Sequence, residues 1–178
     1  MMECEIGDII ATIALGLSII CVLFAFHKWK KQTDVRRTEF VKDLIYSIRV
    51  DEENRNMFYQ VEYNKFSYTK EFHGSETEKK LDKLLTQYNY VCYLRTKNII
   101  NDDEFGFAKY QIYHILQNQN IQKYLHFIFH HSIRVQNKID DTFSFTYLLR
   151  YGMNEGILNE SFYDANNRYY KQNFTEKI

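Results

Sequence analysis

Two histidines of this chain have the spacing of a pair that binds one metal ion. His126 and His130 are four residues apart in a predicted helix, so both imidazoles lie on one helical face. A zinc hydrolase motif would need a glutamate directly after the first histidine, where this chain has Phe127. The face that carries the pair lies opposite the apolar stripe of the helix, which favours two exposed polar residues. We therefore predict no metal and no cofactor, and retain His126 and His130 only as weak candidate metal ligands.

Other short motifs with a defined chemical mechanism are missing from the sequence. The chain has no phosphate-binding glycine loop, no dinucleotide fingerprint and no nucleophile elbow. Asp102, Asp103 and Glu104 follow one another directly, whereas a calcium loop alternates its oxygen ligands and has glycine at its sixth position. We therefore predict a protein without catalytic activity, with an enzyme built from scattered residues as an open alternative.

Length and composition indicate one folded domain with long helices. The chain has 178 residues, of which 45% are apolar and 17% aromatic, so it is not disordered as a whole. It has six glycines and no proline, which leaves few residues that interrupt a helix. The 23 basic residues equal the 23 acidic residues in number, which argues against a general nucleic-acid-binding protein.

An apolar stretch near the N-terminus predicts a membrane-spanning helix. Residues 9–26 carry no formal charge, and with residues 6–8 they form 21 residues, about 30 Å of helix at roughly 1.5 Å per residue. This length matches the hydrocarbon core of a bilayer. A cleaved signal peptide would have a basic start, whereas acidic residues precede this stretch, and a buried core helix would need more chain to cover it. We therefore predict a retained transmembrane anchor over residues 1–27.

The charges on either side of the apolar stretch predict its orientation. Three acidic residues and no basic residue precede it, and a basic cluster follows it. Because basic flanks stay in the cytoplasm, we expect a single-pass protein of the cell inner membrane with its N-terminus outside and its C-terminal domain cytoplasmic. Trp29 suits a position at headgroup depth, and the cations attract anionic lipid, although a topology signal alone is the simpler interpretation. The predicted membrane-interface anchor comprises Lys28, Trp29, Lys30, Lys31, Arg36 and Arg37.

The three cysteines fall in three different predicted environments. Cys4 is expected outside, Cys21 in the bilayer and Cys92 in the cytosolic domain, so no two can form a disulfide within one chain. An external thiol at Cys4 can join two copies of the chain, although an unpaired cysteine without a role is the simpler interpretation.

Helical periodicity predicts a mainly α fold. The anchor helix continues into a basic juxtamembrane stalk over residues 28–50, and a cytosolic bundle of about five helices follows over residues 51–152. Apolar and polar residues alternate over residues 66–72, where we expect loop or helix because no partner strand is evident. The sixth helix is predicted to end near Gly152, and the structure of residues 153–178 is left open.

Capping residues predict where individual helices begin. Asp51 is the expected N-cap of the second helix. Ser75 and Asn101 precede the third and fourth helices, and each is followed three residues later by a glutamate, Glu78 or Glu104, as in a capping box. The polar connection after the fifth helix is expected over residues 135–141. The apolar stripe of the third helix consists of Leu81, Leu84, Leu85, Tyr88, Val91 and Cys92.

The fourth predicted helix is apolar on two sides. Its main stripe consists of Phe105, Ala108, Ile112, Ile115 and Leu116. The opposite side carries Phe107, Tyr110 and His114. This pattern predicts either a central helix of the bundle, covered on both sides, or a face for association with another molecule. We therefore mark Phe107, Tyr110 and His114 as a candidate interaction face.

The layout of an N-terminal membrane helix, a basic exit with tryptophan and a small helical domain resembles a broad group of bacterial proteins with no assigned activity. The resemblance is carried by FHGSETEKKLDKLLTQYNYVCYL over residues 72–94, NIINDDEF over residues 98–105 and IQKYLHFI over residues 121–128. These are mainly packing and capping residues, and the similarity extends over residues 6–130. Some similar small membrane proteins occur in prophage and phage-defence settings, so the resemblance implies such a setting as one alternative.

Three functions remain open, and we favour the first. It is a non-catalytic, membrane-tethered helical module that recruits or senses an unknown cytosolic protein, with the anchor raising its effective concentration beside the bilayer. The second is an oligomerising membrane effector, because Gly7, Ala11, Ala14 and Ser18 include small residues four apart that permit close helix packing. The third is an enzyme of unknown class. The expected partners are the lipid bilayer, a second copy of the chain and a cytosolic protein, but not nucleic acid.

Overall fold

The computed structural model describes residues 2–136 and 143–170, and for residues 2–10, 135 and 136 it describes the backbone alone. The described part is helical and contains no β-strand, which confirms the predicted mainly α fold. The chain divides into two compact units, one up to Val41 and one from Lys42 onward. The helices of the described residues are α1 (Met2–Val50), α2 (Glu52–Glu62), α3 (Glu76–Thr96), α4 (Asp102–Gln117), α5 (Gln119–Gln136) and α6 (Thr146–Asn154), with 3₁₀ turns at Lys70–Phe72 and Glu160–Tyr163.

The first unit is the N-terminal part of α1, which has 49 residues. In the apolar part of α1 the mean hydropathy of an 18-residue window is 1.9, and none of that window is buried. Among the described residues, α1 is the one helix long and apolar enough to cross a membrane, a criterion of length and composition that N-terminal signal sequences also meet. The large apolar side chains exposed along it are Ile13, Leu15, Leu17, Ile19, Ile20, Val22, Leu23, Phe24 and Phe26.

The second unit begins with the last residues of α1, whose Ile45 and Ile48 are buried. Asp51 ends α1 and caps α2 as predicted, because its carboxylate accepts a hydrogen bond of 2.9 Å from the backbone N–H of Asn54. The capping box of α4 is also confirmed. There the Asn101 Oδ1 accepts from the Glu104 N–H and the Glu104 carboxylate accepts from the Asn101 N–H, both at 2.8 Å.

Only half of the capping box predicted for α3 is present. Ser75 Oγ accepts from the Glu78 N–H at 3.1 Å as expected. The Glu78 carboxylate, however, reaches past the cap residue and accepts from the N–H of Gly74. Gly74 has a φ of +78°, a left-handed conformation that favours glycine and turns its N–H toward the helix. The Ser75 hydroxyl therefore caps the helix, and the Glu78 carboxylate holds the loop before it.

α3 lies at the centre of the second unit, where α2, α4 and α6 pack against it. All six residues of its predicted apolar stripe are buried, which confirms the stripe. The segment between α2 and α3 is a loop with one 3₁₀ turn, as expected in preference to a strand. Its Phe66, Tyr68 and Phe72 are buried, and their rings meet edge to face at centroid distances of 5.3 and 5.6 Å. This loop is therefore part of the core.

The C-terminal part of the second unit is more ordered than its sequence indicated. α6 ends at Asn154, two residues beyond the predicted Gly152, and Gly156, with a φ of +67°, makes the turn after it. From there the chain runs back over the bundle to residue 170. Its buried side chains are Leu158, Phe162 and Tyr170. Most of the predicted polar connection over residues 135–141 and the last residues, 171–178, lie outside the described residues.

Candidate interaction face

The side of α4 that carries Phe107 and Tyr110 is exposed in the described structure. Phe107 is 57% exposed and Tyr110 is 52% exposed, whereas His114 is half-buried and its ring centroid lies 4.3 Å from that of Tyr110. Ala108 and Ile112, on the opposite side of the helix, are completely buried. The expectation of a central helix covered on both sides is therefore wrong for this side of α4. A face for association stays a prediction.

α2 extends this exposed aromatic surface. Tyr59 and Tyr63 project from α2 with ring centroids 6.0 Å apart. The two helices are joined where the Tyr110 hydroxyl donates to the Glu62 carboxylate and where the Tyr110 ring meets Phe58 edge to face at 6.4 Å. The sequence pattern of α2 does not by itself link this helix to the surface of α4. We call it the α2/α4 face, defined by its exposed aromatic residues Tyr59, Tyr63, Phe107, Tyr110 and Tyr113.

A groove of about 330 Å³ opens within the α2/α4 face. Its apolar floor is formed by Ile48, Phe58, Leu84 and Tyr88. Its rim is formed by Arg49, Arg55, Tyr59, Glu62, Tyr110 and Gln111, and Asn54 completes the lining. An apolar floor with a polar rim is the usual architecture of a protein-binding pocket.

Asn54 and Arg49 hold the walls of the groove in place. Asn54 is buried, and its Nδ2 donates to the carbonyl oxygen of Ile48 at 3.2 Å and to Gln87 Oε1 at 2.6 Å, joining α1, α2 and α3. The Asn54 Oδ1 has no partner among the described residues. The Arg49 guanidinium donates to the Phe107 carbonyl and also to a side-chain oxygen of α4. The groove is therefore preformed by contacts between the elements that line it.

The histidine pair of α5 is not exposed, contrary to expectation. His126 is 5% exposed and His130 is 9% exposed. Their rings lie 4.3 Å apart, and the C-terminal segment covers them, with the Tyr170 ring stacked on His126 at 4.9 Å. Sequence reasoning missed this cover because the covering residues follow the pair by more than thirty positions.

The hydrogen bonds of His126 and His130 occupy their Nε2 atoms and leave only the Nδ1 atom of each ring as a metal ligand. His126 Nε2 lies 3.1 Å from the Asp164 carbonyl oxygen, and His130 Nε2 lies 3.3 Å from the Phe162 carbonyl oxygen. A carbonyl only accepts, so each Nε2 carries a proton and donates it. Burial lowers the pKa of both histidines, and the nearby Arg134 lowers that of His130 further. No group of three or more potential ligands for a metal occurs among the described residues.

A second polar cluster joins the loop before α3 to the bundle, and sequence reasoning missed it. Tyr68 Oη lies 2.8 Å from His73 Nε2, and His73 Nδ1 lies 3.0 Å from the Glu78 carboxylate. The Tyr124 hydroxyl donates to Asp82 at 2.6 Å. The sequence indicates this cluster only by two carboxylates four residues apart in α3, Glu78 and Asp82, and by His73, which lies five residues before Glu78.

This cluster has the geometry of a proton relay, but its two hydroxyl groups belong to buried tyrosine side chains. Tyr68 and Tyr124 are buried, and burial raises the pKa of both phenols, so neither forms a tyrosinate near neutral pH. Burial also raises the pKa of the Asp82 carboxyl. The arrangement therefore fixes the loop on α3 and α5 and presents no nucleophile to a substrate.

The residues of the predicted membrane-interface anchor are accessible within the first unit. Trp29 is exposed, and its ring lies 6.0 Å from that of Phe26. Arg37 is partly buried and pairs with Asp34 at 3.6 Å, so its charge is partly neutralised. One exposed face of the helix carries Lys28, Lys31, Gln32, Val35, Arg36 and Glu39. Its three cations, Lys28, Lys31 and Arg36, outnumber its one carboxylate, Glu39, so this face is basic.

No family model, no curated protein and no solved structure matches this chain.

Proposed function

We propose that this protein is a non-catalytic interaction module tethered to the inner membrane, whose helical bundle recruits or senses a protein partner on the cytoplasmic side. The observation that carries the proposal is the α2/α4 face, which has five exposed aromatic side chains, two of which, Tyr59 and Tyr110, line the rim of a preformed apolar groove. Tyrosine and other aromatic anchors next to a pocket supply much of the binding energy of protein interfaces. A large exposed apolar patch on a folded domain commonly marks a surface that another molecule covers.

The apolar part of α1 supports the tether. Its large side chains are exposed along the whole described stretch, and leaving apolar surface in water costs about 25 cal/mol per Å². A bilayer removes that cost for a helix of this length. The exposed Lys28, Lys30 and Lys31 follow the apolar stretch directly, and Trp29 among them suits the headgroup region. Basic flanks retained in the cytoplasm leave the N-terminus outside.

The polar side chains of the second unit favour binding over catalysis. At the groove, Arg49 is engaged with α4 and Glu62 accepts from Tyr110, so these charges serve to shape the rim. The relay-like array of Tyr68, His73 and Glu78 has its hydroxyl buried. Neither arrangement presents an acid, a base and a nucleophile together to a bound molecule.

Fractionation and thiol labelling of the full chain test the tether. We expect the full chain to stay with membranes after alkaline carbonate treatment, and a chain that starts at Gln32 to be released. Cys4 should react with a membrane-impermeant maleimide in intact cells, and the Cys4→Ser variant controls for reaction at Cys21 and at the buried Cys92. Release of the full chain by carbonate, or labelling of Cys4 only after lysis, would contradict the proposal.

The same two forms separate the tether from the membrane effector. A tethered module leaves the membrane potential of the host unchanged when either form is expressed. If the full chain collapses the potential and the chain that starts at Gln32 does not, the helix is part of an effector mechanism and the proposal is wrong. A potential-sensitive dye, followed together with growth, provides the measurement.

A further inference from the structure

We infer that the partner of the α2/α4 face is a second copy of this chain, bound about a two-fold axis with Phe107 of each copy in the groove of the other. The inference rests on the proposed function, since it names the partner of the same face. A two-fold interface uses one surface patch on both copies, so the patch must complement itself. The α2/α4 face meets this requirement in shape, area and charge.

The shape of the face provides both a projection and a recess. Phe107 is 57% exposed and lies on α4 one turn before Tyr110 and Gln111, which form part of the rim of the groove. The recess beside it measures about 330 Å³ and has the apolar floor that an aromatic ring requires. A buried aromatic anchor in a facing pocket is the typical centre of a protein interface. Because both parts belong to one face, a two-fold axis through that face can bring each Phe107 to the groove of the other copy.

The exposed aromatic area is sufficient for the core of a dimer. A fully buried aromatic side chain covers about 150–250 Å². The five aromatic residues of the α2/α4 face are each about half exposed, so together they offer roughly 500 Å² per copy. A stable interface buries about 800 Å² per partner. The aromatic residues therefore supply more than half of that area, and the polar rim supplies the rest.

The charges on the rim are mixed, as self-association requires. Arg49 and Arg55 lie on the same rim as Glu62. A rim of one sign would repel its own copy, whereas a rim with both signs allows a guanidinium of one copy to face a carboxylate of the other. Anchoring in one bilayer also raises the effective concentration of the copies for one another into the range in which a moderate interface forms.

Disulfide trapping between two differently tagged full-length copies in native membranes tests the inference. Both copies carry Cys4→Ser and Cys21→Ser, and Cys92 stays because it is buried. One copy carries Phe107→Cys and the other carries Arg55→Cys at the groove rim. The control replaces Phe107→Cys by Lys109→Cys, which is on the same helix and similarly exposed, its side chain being 59% accessible, but points to another side.

We expect mild oxidation to join the Phe107→Cys and Arg55→Cys copies at least about tenfold more than the control pair, because only the former meet across the proposed interface. Equal yields for the two pairs would overturn the inference, as would trapping of Phe107→Cys only to another protein. If only the Phe107→Cys and Arg55→Cys copies are trapped but carbonate releases the chain from membranes, the dimer is supported and the tether is overturned. The two proposals therefore fail separately.

A second measurement does not depend on introduced thiols. Light scattering of the full chain in detergent should show a dimer. Phe107→Ser should weaken it by about a thousandfold, because it removes both anchors of the two-fold dimer and truncating one central aromatic anchor costs about thirtyfold. Lys109→Ser should leave the dimer intact, and circular dichroism should be the same for both variants. A monomeric parent chain, or a dimer that Phe107→Ser leaves unchanged, would overturn the inference.

Discussion

His126 donates from its Nε2 to the carbonyl oxygen of Asp164 at 3.1 Å, and this bond fixes the C-terminal segment to α5. His130 makes the same kind of bond to Phe162, one turn along the helix. Both carbonyls belong to the segment that crosses back over the bundle after α6. The two imidazoles therefore close one side of the core, and the backbone carbonyls that accept from them explain how both are buried.

The pairing of His126 and His130 predicts that acid loosens the C-terminal segment. Burial lowers the pKa of both side chains, Arg134 adds to the effect at His130, and Asp164 opposes it at both. The unfolded chain binds protons near the usual histidine pKa of about 6.5, above the folded values. The stabilisation of the folded C-terminal segment by the two neutral histidines is therefore complete above about pH 6.5. It decreases as the pH falls through that value toward the pKa values of the folded protein.

Hydrogen exchange of residues 157–170 in the full chain measures this effect. Protection, corrected for the intrinsic pH dependence of exchange, should fall between about pH 7.5 and about pH 5.5. A variant with His126→Gln and His130→Gln keeps an N–H donor at each position but does not titrate. It should lose less protection over the same range, and an equal loss in both proteins would exclude the histidines as the cause.

Phe162 predicts how strongly the C-terminal segment contributes to stability. Its ring is fully buried and meets those of His126 and Tyr170 edge to face at 5.5 and 5.3 Å. Phe162→Ala should lower the free energy of unfolding by about 3–5 kcal/mol, the usual cost of deleting a buried ring. Tyr163→Ala, next to it but exposed, should cost about 1 kcal/mol. Chemical denaturation of the full chain provides both values, and equal costs would show that the segment is not part of the core.

Local patterns were sufficient to predict the helices and most of their starts. Asn101 and Glu104 form the expected capping box because the interaction involves two residues three apart and depends on no other element. The stripe that includes Leu81 and Leu85 is buried as predicted, since one helical face of that composition has to be covered. The end of α6 was predicted two residues too early, because Gly152 was interpreted as the end of the helix. The glycine is instead required by close packing against Leu158 and Leu116.

The candidate site could be predicted only in part, because exposure depends on distant elements. Phe107 and Tyr110 were recognised on one side of α4, but their pattern did not reveal whether another helix covers them. The contribution of Tyr59 depends on how α2 packs against α4, and about forty residues of chain separate the two helices. Similarly, His126 is buried by residues that follow it by more than thirty positions. Sequence periodicity carries no information over such distances.

Gly152 predicts a site where one added methyl group destabilises the fold. A Cβ at this position would lie 2.9 Å from Leu158 Cδ1 and 3.2 Å from Leu116 Cδ1, and both leucines are themselves buried. Overpacking of this kind costs about 1–3 kcal/mol, and the better helix propensity of alanine returns up to about 1 kcal/mol. Gly152→Ala should therefore lower the free energy of unfolding by about 1 kcal/mol.

Gly106 provides the matched control for that substitution. It also lies within a helix, but an added Cβ would have no atom within 4 Å. Gly106→Ala should therefore raise the free energy of unfolding by about 0.5–1 kcal/mol, because only the helix propensity changes. Both values come from denaturation of the full chain. Effects of the same sign at the two positions would contradict the packing argument.

The lysines after the apolar stretch predict the orientation of the chain in the membrane. Lys28, Lys30 and Lys31 are exposed and lie within the first turn after residue 27, the region in which basic residues determine topology. Replacing all three by glutamate places acidic residues on both sides of the anchor. We expect a large fraction of such chains to insert in the opposite orientation, because the charge difference on which the proposed orientation depends is then lost or reversed.

Labelling of Cys4 with a membrane-impermeant maleimide in intact cells measures this change of orientation. Cys4 should be labelled in the parent chain and largely protected in the triple glutamate variant. The control is a variant with three lysines of the second unit, Lys65, Lys70 and Lys80, changed to glutamate, which alters net charge equally but lies too far from the anchor to affect insertion. If Cys4 is labelled to the same extent in both variants as in the parent chain, the basic cluster does not determine the topology. The remaining proposed role of its exposed cations is then the binding of anionic lipid headgroups.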